Sequence, residues 1–475
     1  MVIKLKVVFT HISTEKISGQ PPLGIAYLSS YIRKYSPDIR VSIVDKAKDT
    51  FQAIKKEKPD VVGISSVTKE FARAEQLARR IKTELNIPVI IGGNHITIMP
   101  KVFNNSFNVG VLGEGEATTK ILLDNKLENL DKIKGIVFNN NGQIAMTPRR
   151  ELIRPLDEIP YPARDLFKME KEYLVPRRAG TAGKVSRATH MFSGRGCPFS
   201  CRFCSSSHFW ERQLRMFSPE YVVGEMNELI NKYRVEEILL FDDLFASDTD
   251  RLRKIVSLLK QDKIQEKVDF GCLSRVDIIN EERMKLLKEM NVLQIDYGFE
   301  SGSQRILKYL KRDTTTVEMN KKAVELTHKY GIKIHGFFMI GAPDETKDDI
   351  LKTLNFIKEN KIDTITLTVL APYPGTEIWE DAKQRGLVSD DMDWSMLDMA
   401  PETGEFIYLN KTMPKEEFLQ IYDNFKKQIE GNQYAVSFKI KDVFSPFVMK
   451  YAATHPGEAW RYFYNSVIRK KINKQ

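Results

Sequence analysis

Cys197, Cys201 and Cys204 are the residues of this chain with the clearest chemical potential, because they are spaced C-x3-C-x2-C. A closed structural zinc site needs four ligands. No fourth cysteine or histidine follows at zinc-like spacing, and the nearest histidine, His208, lies in a polar and aromatic stretch without a second partner. Three thiolates can instead hold a four-iron cluster in which one iron stays open for another ligand. The spacing therefore favours an iron–sulfur site over a zinc site.

Six strands alternate with helices in the part of the chain that carries these cysteines. The predicted strands are Ala188–Ser193, Glu237–Phe241, Val268–Cys272, Gln294–Phe299, Lys333–Ile340 and Thr364–Leu370, with helices such as Pro219–Tyr233 and Glu282–Met290 between them. Six βα units in one run suit a partial (β/α)6 TIM-like barrel better than an open sheet. Such barrels collect their chemistry at the carboxyl ends of the strands, and the cysteine loop follows the first strand directly.

Polar or glycine features follow each later strand of this barrel. Asp242 and Asp243 end the second strand, Arg275 the third, Glu300 and Ser301 the fourth, and Gly341 the fifth. Each has an ordinary structural alternative, since aspartates cap helices and glycines make turns. Their succession behind the cysteine loop favours a cofactor site. Cys272 differs, because it lies inside the third strand; a small core residue is the favoured interpretation, and a substrate-facing thiol is the alternative.

A second α/β unit precedes the barrel. Its predicted strands are Leu5–Thr10, Val41–Asp45, Val61–Ser65, Val89–Gly92 and Val109–Leu112, its helices include Pro22–Tyr35 and Phe71–Leu85, and a hairpin joins Gly135–Asn139 to Gln143–Thr147. This alternation predicts a doubly wound, Rossmann-like parallel sheet. We predict domain boundaries at 1–140 for this sheet, 141–186 for a linker, 187–390 for the barrel and 391–475 for a small, mostly helical C-terminal region.

The barrel region resembles the radical S-adenosylmethionine (SAM) superfamily from Arg187 to about Leu387. The resemblance implies that Cys197, Cys201 and Cys204 bind a [4Fe–4S] cluster whose open iron is chelated by SAM. It also implies SAM contacts from the strand ends: the aspartates near the amino group, Arg275 and Glu300 near the carboxylate and ribose, and the last strand past the adenine. The implied SAM residues are Asp242, Asp243, Arg275, Glu300, Ser301, Gly341, Val369 and Leu370.

The first unit, placed directly before such a barrel, resembles a cobalamin-binding domain. The implied contacts are Leu23, Gly24, Ser66, Thr68, Gly92, Gly93, His95, Gly113 and Glu114. The corrinoid motif D-x-H-x-x-G is absent, and neither His11 nor His95 has its context. We therefore expect cobalt to carry no protein imidazole, with the Ser65–Lys69 loop facing its lower side. His95 is either close to the corrinoid tail or a capping or core histidine.

Composition sets limits on compartment and partners. The 475 residues contain only four cysteines, and the apolar run Val7–Phe9 is too short for a signal peptide or membrane span, so we expect a protein of the reducing cytoplasm. The net charge is +10, and Lys439–Gln475 carries eight basic against two acidic residues among interleaved aromatics. A solvated helical cap is favoured there over contact with a membrane surface or polyanion. No nucleic-acid motif accompanies the charge.

Three functions fit these patterns. The first is a cobalamin-dependent radical SAM C-methyltransferase, in which, by resemblance, one SAM methylates cobalamin and a second yields the 5′-deoxyadenosyl radical. The second keeps the same cofactors but forms rings or carbon–carbon bonds, for example on a lipid. The third is a non-catalytic carrier or sensor, which would leave Arg275 and Glu300 without a purpose. Both enzymes need an external electron donor and an organic, lipid or peptide substrate that the sequence leaves open.

Overall fold

The structure, a computed structural model, describes residues 5–12, 20–174, 176–177, 186–400 and 405–429, together with 449, 452 and 453. The basic and aromatic segment Lys439–Gln475 lies almost entirely outside these residues. The chain divides into two compact units. Unit 1 comprises Met1–Lys168, Gly196–Arg215 and Leu370–Leu409, and unit 2 comprises Met169–Arg195, Met216–Val369 and Asn410–Gln475.

Unit 1 is built on a seven-stranded sheet in the order β2-β1-β3-β4-β5-β6-β7. Its strands are β1 (Leu5–Ile12), β2 (Ile39–Val44), β3 (Val61–Ser66), β4 (Val89–Gly92), β5 (Val109–Val111), β6 (Ile136–Asn140) and β7 (Gln143–Met146). The first five pair in parallel, and β6 and β7 add an antiparallel hairpin. The order reverses between β1 and β3, and a doubly wound sheet binds its ligand beside such a switch point.

Helices connect these strands, as parallel pairing requires. They are α1 (Leu23–Tyr35), α2 (Thr50–Glu57), α3 (Phe71–Leu85), α4 (Asn94–Ile98) and α5 (Gly115–Asp124). The sequence of α3 has the spacing of an amphipathic helix. Its buried residues recur every three or four positions and form one apolar face: Phe71, Ala74, Ala78 and Ile81.

Unit 2 is built on a second sheet in the order β16-β15-β14-β13-β12-β9-β8. The strands of this part of the chain are β8 (Pro176–Arg177), β9 (Ser186–Met191), β10 (Gly194–Arg195), β11 (Arg215–Met216), β12 (Glu237–Leu240), β13 (Asp269–Ser274), β14 (Val292–Glu300), β15 (Lys333–Ile340) and β16 (Thr364–Val369). From β9 to β16 all pairs are parallel and follow chain order, which produces a curled half-barrel.

The helices of this part of the chain are α6 (Ser206–Phe209), α7 (Pro219–Tyr233), α8 (Thr249–Gln261), α9 (Glu281–Glu289), α10 (Gln304–Lys311), α11 (Val317–Lys329), α12 (Lys347–Glu359), α13 (Glu377–Gln384) and α14 (Lys415–Ile429). Capping interactions explain where two of these helices begin. In α7, the Ser218 side chain accepts a hydrogen bond from the Tyr221 amide, and Pro219 occupies the first turn. In α12, Thr346 and Asp349 form a reciprocal capping box.

The two faces of the half-barrel can be told apart along β14. The Tyr297 hydroxyl contacts Thr327 of α11 at 2.9 Å, and the Phe299 ring packs on Phe356 of α12, so these residues face the helices. Because successive side chains alternate, Gln294, Asp296 and Gly298 face the inside of the barrel. The register shifts between Gly298 and Glu300, and the Glu300 carboxylate lies over Gly298 on the same face. The inner face is therefore polar and ends in Glu300.

The fold class predicted from the sequence is confirmed: an N-terminal doubly wound unit, a partial barrel of six parallel strands and a helix near the C-terminus. Lys333–Ile340 and Pro219–Tyr233 have the predicted bounds, and the Gln143–Met146 strand completes the predicted hairpin. No helix among the described residues is long and apolar enough to cross a membrane. The domain boundaries themselves stay predictions.

Candidate active site

The cysteine segment belongs to unit 1. Cys197, Cys201 and Cys204 are half-buried, and the Cys204 amide donates a hydrogen bond to the Cys201 carbonyl at 3.2 Å, which closes a tight turn between them. Gly196 precedes the first cysteine at φ +91°, and an added Cβ would lie 2.1 Å from the Gln213 carbonyl oxygen. Only glycine fits this position. The first residue of the cysteine segment, Gly196, therefore packs against the backbone of Gln213 near the end of the segment.

The arrangement of the three thiols is compatible with a [4Fe–4S] cluster. Within the described residues, no three His, Cys, Asp or Glu side chains are grouped closely enough to hold one ion. A [4Fe–4S] cluster binds each cysteine through a different iron, so its three sulfur atoms need not converge on one point. His208 is exposed, and partial burial lowers its pKa. Its imidazole ring lies 3.6 Å from the Cβ position of Gly375.

Asp242 lies under the chain that leads from β9 towards the cysteines. One carboxylate oxygen accepts the Ser193 amide at 2.6 Å and the Gly194 amide at 3.1 Å, and the other accepts the Ser193 hydroxyl. Burial raises the pKa of Asp242 to about 6. Its neighbour Asp243 is exposed. The structure thus gives the two predicted aspartates different environments, and Asp242 orders the loop beneath which it lies.

Arg275 directly follows β13 and carries a nearly buried guanidinium. Its Nε and Nη2 atoms donate to the two oxygens of Asp277, both at 2.9 Å, and Nη2 also donates to Thr314 at 3.1 Å. This bidentate contact holds the plane of the guanidinium fixed. A fixed, buried guanidinium suits a carboxylate ligand such as that of SAM.

Glu300 ends β14 at φ +63°, a left-handed conformation that costs energy for a residue with a side chain. Its Oε1 atom lies 3.2 Å from the Nζ atom of Lys311, and both side chains are buried. Lys311 also donates to the Gly298 carbonyl oxygen. A Cβ at position 298 would lie 2.4 Å from Glu300 Oε1, so glycine leaves room for the carboxylate to fold back. This strained, buried ion pair is typical of a functional site.

The Ser301–Ser303 turn is fixed to α12. The Ser301 hydroxyl contacts the Thr353 hydroxyl at 3.0 Å, and the Gly302 amide donates to the same oxygen at 3.0 Å. The Ser303 hydroxyl donates to Asp349 at 2.6 Å. A Cβ on Gly302 would lie 2.6 Å from the Lys352 carbonyl oxygen. Ser301 is fully buried, so this residue positions the loop after Glu300.

Gly341 ends β15 at φ +93°. Its amide donates to Glu345 Oε2 at 2.5 Å, and the Ala342 amide donates to the same atom at 3.1 Å. Glu345 Oε1 is buried and has no hydrogen-bond partner in the described structure. Burial raises the pKa of Glu345 to about 8. Val369 lies 3.3 Å from the Cβ position of Gly341, which brings the predicted adenine strand to this turn.

The inside of the barrel holds a polar layer below these strand ends. Gln294 donates to Asp296 at 2.7 Å, and the ring nitrogens of His335 contact Thr364 at 2.8 Å and Thr366 at 3.0 Å. Burial raises the pKa of Asp296 to about 7, the Gln294 hydrogen bond opposes this shift, and the charge of Glu237 adds to it. The sequence analysis did not predict this polar layer, although polar residues at every second position of β14, Gln294 and Asp296, indicate it.

In unit 1, the predicted cobalamin residues form the carboxyl edge of the first sheet. Gly24, Gly92 and Gly113 have no heavy atom within 4 Å of an added Cβ, so their surfaces are open to a ligand. Gly93 differs, because its Cβ would lie 2.4 Å from the Ser66 carbonyl oxygen. Leu23 is buried in α1. Glycines with open space beside a switch point fit a bulky, flat ligand such as a corrin.

His95 is a core histidine. It is 1% exposed, its Nδ1 atom contacts the Thr68 hydroxyl at 3.2 Å, and its ring packs on Phe71 and Trp394 at centroid distances of 4.5 and 4.6 Å. Burial lowers the pKa of His95 to about 3, so the imidazole is neutral. Ser66 is also buried and donates to the Val67 carbonyl oxygen. The imidazole stabilises the loop after β3 from inside unit 1.

Glu114 is buried as well, and both of its oxygens contact Arg215, each at 3.0 Å.

Leu370 is 3% exposed, and Cys272 is 2% exposed. Burial raises the pKa of the Cys272 thiol far above its usual range, which fits a small core residue and not a nucleophile. The partners Lys311, Arg215 and Asp277 were missed from sequence, because no local pattern links them to Glu300, Glu114 or Arg275.

Comparison with known proteins decides the family. Residues 191–357 match the family model described as the Radical SAM superfamily, and residues 18–123 match the B12 binding domain. An uncharacterized methyltransferase of Pyrococcus horikoshii is 35% identical over 386 residues, which are 79% of this chain and 81% of that protein. The chain belongs to the cobalamin-binding radical SAM enzymes. Its cofactors are therefore a [4Fe–4S] cluster, SAM and cobalamin, and it requires a substrate and an electron donor.

Two solved structures share the fold of this radical SAM enzyme. TsrM, a radical SAM methyltransferase from Kitasatospora setae with cobalamin and a [4Fe–4S] cluster bound, has a TM-score of 0.70 at 15% identity, with 100% of both chains covered. OxsB, a cobalamin-dependent SAM radical enzyme, has a TM-score of 0.64 at 20% identity. The alignment covers 92% of this chain and 65% of OxsB, so the chain spans about two thirds of that protein.

We predict that alanine at Cys197, Cys201 or Cys204 abolishes cluster binding in this radical SAM enzyme, whereas Cys272→Ala retains it. Each of the three thiolates would bind its own iron, and Cys272 is a buried core residue. Iron and sulfide content after anaerobic reconstitution, with the visible absorbance of the cluster, measures the effect. Iron at the wild-type level in any of the three variants would contradict the assignment.

We also predict that Glu345 makes stability depend on pH. Its pKa is about 8 when folded against 4.5 for an ordinary glutamate, so the folded state binds this proton more tightly. The stabilisation is complete below about pH 4.5 and is lost as the pH rises through 8. The unfolding temperature of the wild type should fall over this window, and Glu345→Gln should flatten the fall. Parallel curves for the two proteins would contradict the prediction.

Proposed function

We propose that the chain is a methyltransferase that delivers a methyl group to an unactivated carbon atom. One observation carries the proposal: the cysteine segment Gly196–Arg215 lies in the same compact unit as the glycine-lined edge of the first sheet. Cluster ligands and a corrinoid edge within one unit suit chemistry that uses both cofactors on one substrate. The Pyrococcus horikoshii relative, which is named a methyltransferase, supports the same direction.

The three cofactors, when bound, supply a carbon radical and a methyl group, which side-chain acids and bases cannot supply. The residues of this chain bind and orient. We assign cluster binding to Cys197, Cys201 and Cys204, and SAM binding to Arg275 and Glu300, whose charges are fixed by Asp277 and Lys311. Asp242 and Glu345 orient the loops, since their oxygens are occupied by backbone amides of those loops.

The remaining predicted SAM contacts divide by their burial. Gly341 and Val369 lie together at the end of the sheet, whereas Ser301 is turned into α12 and orders the loop. Asp243 is exposed and is the aspartate that suits the SAM amino group. Leu370 remains assigned to the adenine on sequence order alone.

For cobalamin, we assign the open positions Gly24, Gly92 and Gly113 to the corrin and its substituents. The Val67 side chain, directly after β3 at the switch point, is 39% exposed. It suits the lower face of the corrin. His95 is packed against Phe71 and Trp394, so we assign it no bond to cobalt. We propose that cobalt has no histidine ligand from the protein, because the motif D-x-H-x-x-G is absent from the sequence.

We place the enzyme in the reducing cytoplasm, because oxygen destroys exposed iron–sulfur clusters. The substrate is an organic molecule, a lipid or a peptide. The inner barrel layer around Asp296 and Gln294 supports a substrate with hydrogen-bond donors, since Asp296 accepts one bond from Gln294 and Gln294 Oε1 has no partner in the described structure.

We predict an electron paramagnetic resonance spectrum of base-off cob(II)alamin without nitrogen hyperfine splitting. The protein is purified anaerobically with hydroxocobalamin and reduced mildly, and cobalt content is measured in parallel. His95→Ala should give the same cobalt splitting pattern, because the imidazole packs inside unit 1. Nitrogen splitting that disappears in His95→Ala would overturn the assignment, and iron without cobalt would remove cobalamin from the proposal.

The methyl transfer is tested with SAM that carries an isotope-labelled methyl group. Reconstituted enzyme with bound cob(I)alamin should form S-adenosylhomocysteine and labelled methylcobalamin in equal amounts, since the methyl group moves from sulfur to cobalt. Mass spectrometry of both products measures this. A variant without cluster, Cys201→Ala, controls for the radical reaction, because it cannot supply the electron that cleaves SAM to 5′-deoxyadenosine. Formation of 5′-deoxyadenosine with no labelled cobalamin would favour the ring-forming or coupling alternative.

A further inference from the structure

Glu114 and Arg215 form a buried ion pair that the proposed function does not use. Their contact is bidentate: Nη1 of Arg215 donates to Oε2 and Nη2 donates to Oε1, each at 3.0 Å. The side chain of Arg215 is 2% exposed and that of Glu114 is 4% exposed. Both residues belong to unit 1. Glu114 directly precedes α5 at the end of β5, and Arg215 is the last residue of the cysteine segment.

The backbone at position 153 completes the contact. The Ile153 amide donates to Glu114 Oε2 at 2.8 Å, and Nη1 of Arg215 donates to the Ile153 carbonyl oxygen at 2.9 Å. Three segments far apart in sequence therefore meet at one point: the edge of the first sheet, the chain after the hairpin, and the cysteine segment. Each of these hydrogen bonds involves a charged group, and such bonds are stronger than bonds between neutral groups.

A buried ion pair is weak evidence for stability, because removing two charges from water costs much of what their attraction returns. In some proteins such a pair fixes one arrangement among several. Here the arrangement concerns the cysteine segment. Its beginning packs closely at Gly196 against the Gln213 carbonyl, and its end is bonded through Arg215 to Glu114.

A continuous series of contacts leads from Arg215 back towards the cysteines. The Arg215 guanidinium lies over the Trp210 ring at 5.5 Å, and the Trp210 amide donates to the Ser206 carbonyl at 2.9 Å in the turn that follows α6. The helix α6 starts two residues after Cys204. A displacement of Arg215 would therefore reach the last cysteine through a short, hydrogen-bonded segment.

We propose that Glu114 and Arg215 are positioning residues that hold the cysteine segment, and with it the cluster, against the cobalamin-type sheet. Glu114 then acts through Arg215 and does not bind cobalamin, which departs from the role that the sequence resemblance implies for it. The inference rests on the proposed function only in taking the three cysteines as cluster ligands.

The test compares Glu114→Gln and Arg215→Lys with a matched control. Glu114→Gln keeps the shape but removes the charge, and Arg215→Lys keeps the charge but removes the second donor. The control is Glu211→Gln, because Glu211 also lies in the cysteine segment and pairs with Arg149 of the chain after the hairpin at 3.1 Å, but both side chains are about 40% exposed. All variants are made in the full chain and reconstituted with iron, sulfide and hydroxocobalamin.

Three quantities are measured: the electron paramagnetic resonance spectrum of the reduced cluster with and without SAM, the half-life of the cluster in air, and the dissociation constant for hydroxocobalamin. Glu114→Gln and Arg215→Lys should broaden the cluster spectrum, weaken its response to SAM and shorten the half-life several-fold. Their cobalamin dissociation constants should stay within about twofold of the wild type. Glu211→Gln should match the wild type in all three. The double variant should be no worse than the single ones, because the two residues act as one unit.

A tenfold weaker affinity for hydroxocobalamin in Glu114→Gln, with an unchanged cluster spectrum, would overturn the proposal and make Glu114 a cobalamin residue. Cluster behaviour equal to that of Glu211→Gln would overturn it as well. If Glu114→Gln does not fold, by circular dichroism, Arg215→Lys decides the question by the same comparison. Failure of the proposed function is separate, because it would show in the wild type as the absence of bound cobalamin or of methyl transfer to it.

Discussion

Parallel strand pairing is the constraint on which the candidate site depends. In a parallel ladder, neighbouring strands run in the same direction, so their carboxyl ends meet at one edge of the sheet. Asp242, Arg275, Glu300 and Gly341 are separated by as many as 99 residues in sequence, yet each follows a strand of the same half-barrel. The same constraint gathers the glycines of unit 1 at the edge beside its switch point. Neither set could be assembled by antiparallel hairpins, which alternate their ends.

The free-energy cost of burying charged groups is a second constraint on the candidate site. A carboxylate removed from water must be paired, hydrogen-bonded or protonated. The structure uses all three: Glu300 is paired with Lys311, Asp242 is bonded to the chain before the cysteines, and the raised pKa of Glu345 favours its protonated form. These carboxylates fix loops, and a fixed loop is what a cofactor needs if its reactive atom is to meet a substrate in one geometry.

The sequence predicts the strands well because periodicity and glycine punctuation are local signals. The buried run Val61–Val62 and the helical spacing of α3 can each be read within one element. Local sequence patterns do not predict which side chains form ion pairs or hydrogen bonds across the fold. Glu114 and Arg215 are 101 residues apart, and Asp242 and Ser193 are 49 residues apart, so only the folded chain shows that they meet. His95 illustrates the same limit, because its spacing allowed a ligand contact or a core position, and its packing on Trp394 is a long-range fact.

Chain order and packing place the cysteine segment in different parts of the molecule. By chain order the cysteine segment is a loop of the barrel, since it follows β9 directly. By packing it belongs to unit 1 together with the first sheet, whereas Arg275 and Glu300 belong to unit 2. The spacing between the proposed cluster ligands and the proposed corrinoid edge is then a property of a single packed body, in which Glu114 and Arg215 form a buried ion pair. A reaction that requires both cofactors to act on one carbon atom needs this spacing to be constant, because small misplacements of reacting groups cost large factors in rate. The positioning role that we propose for the ion pair would fix this distance, and it would account for two charges kept where water is excluded.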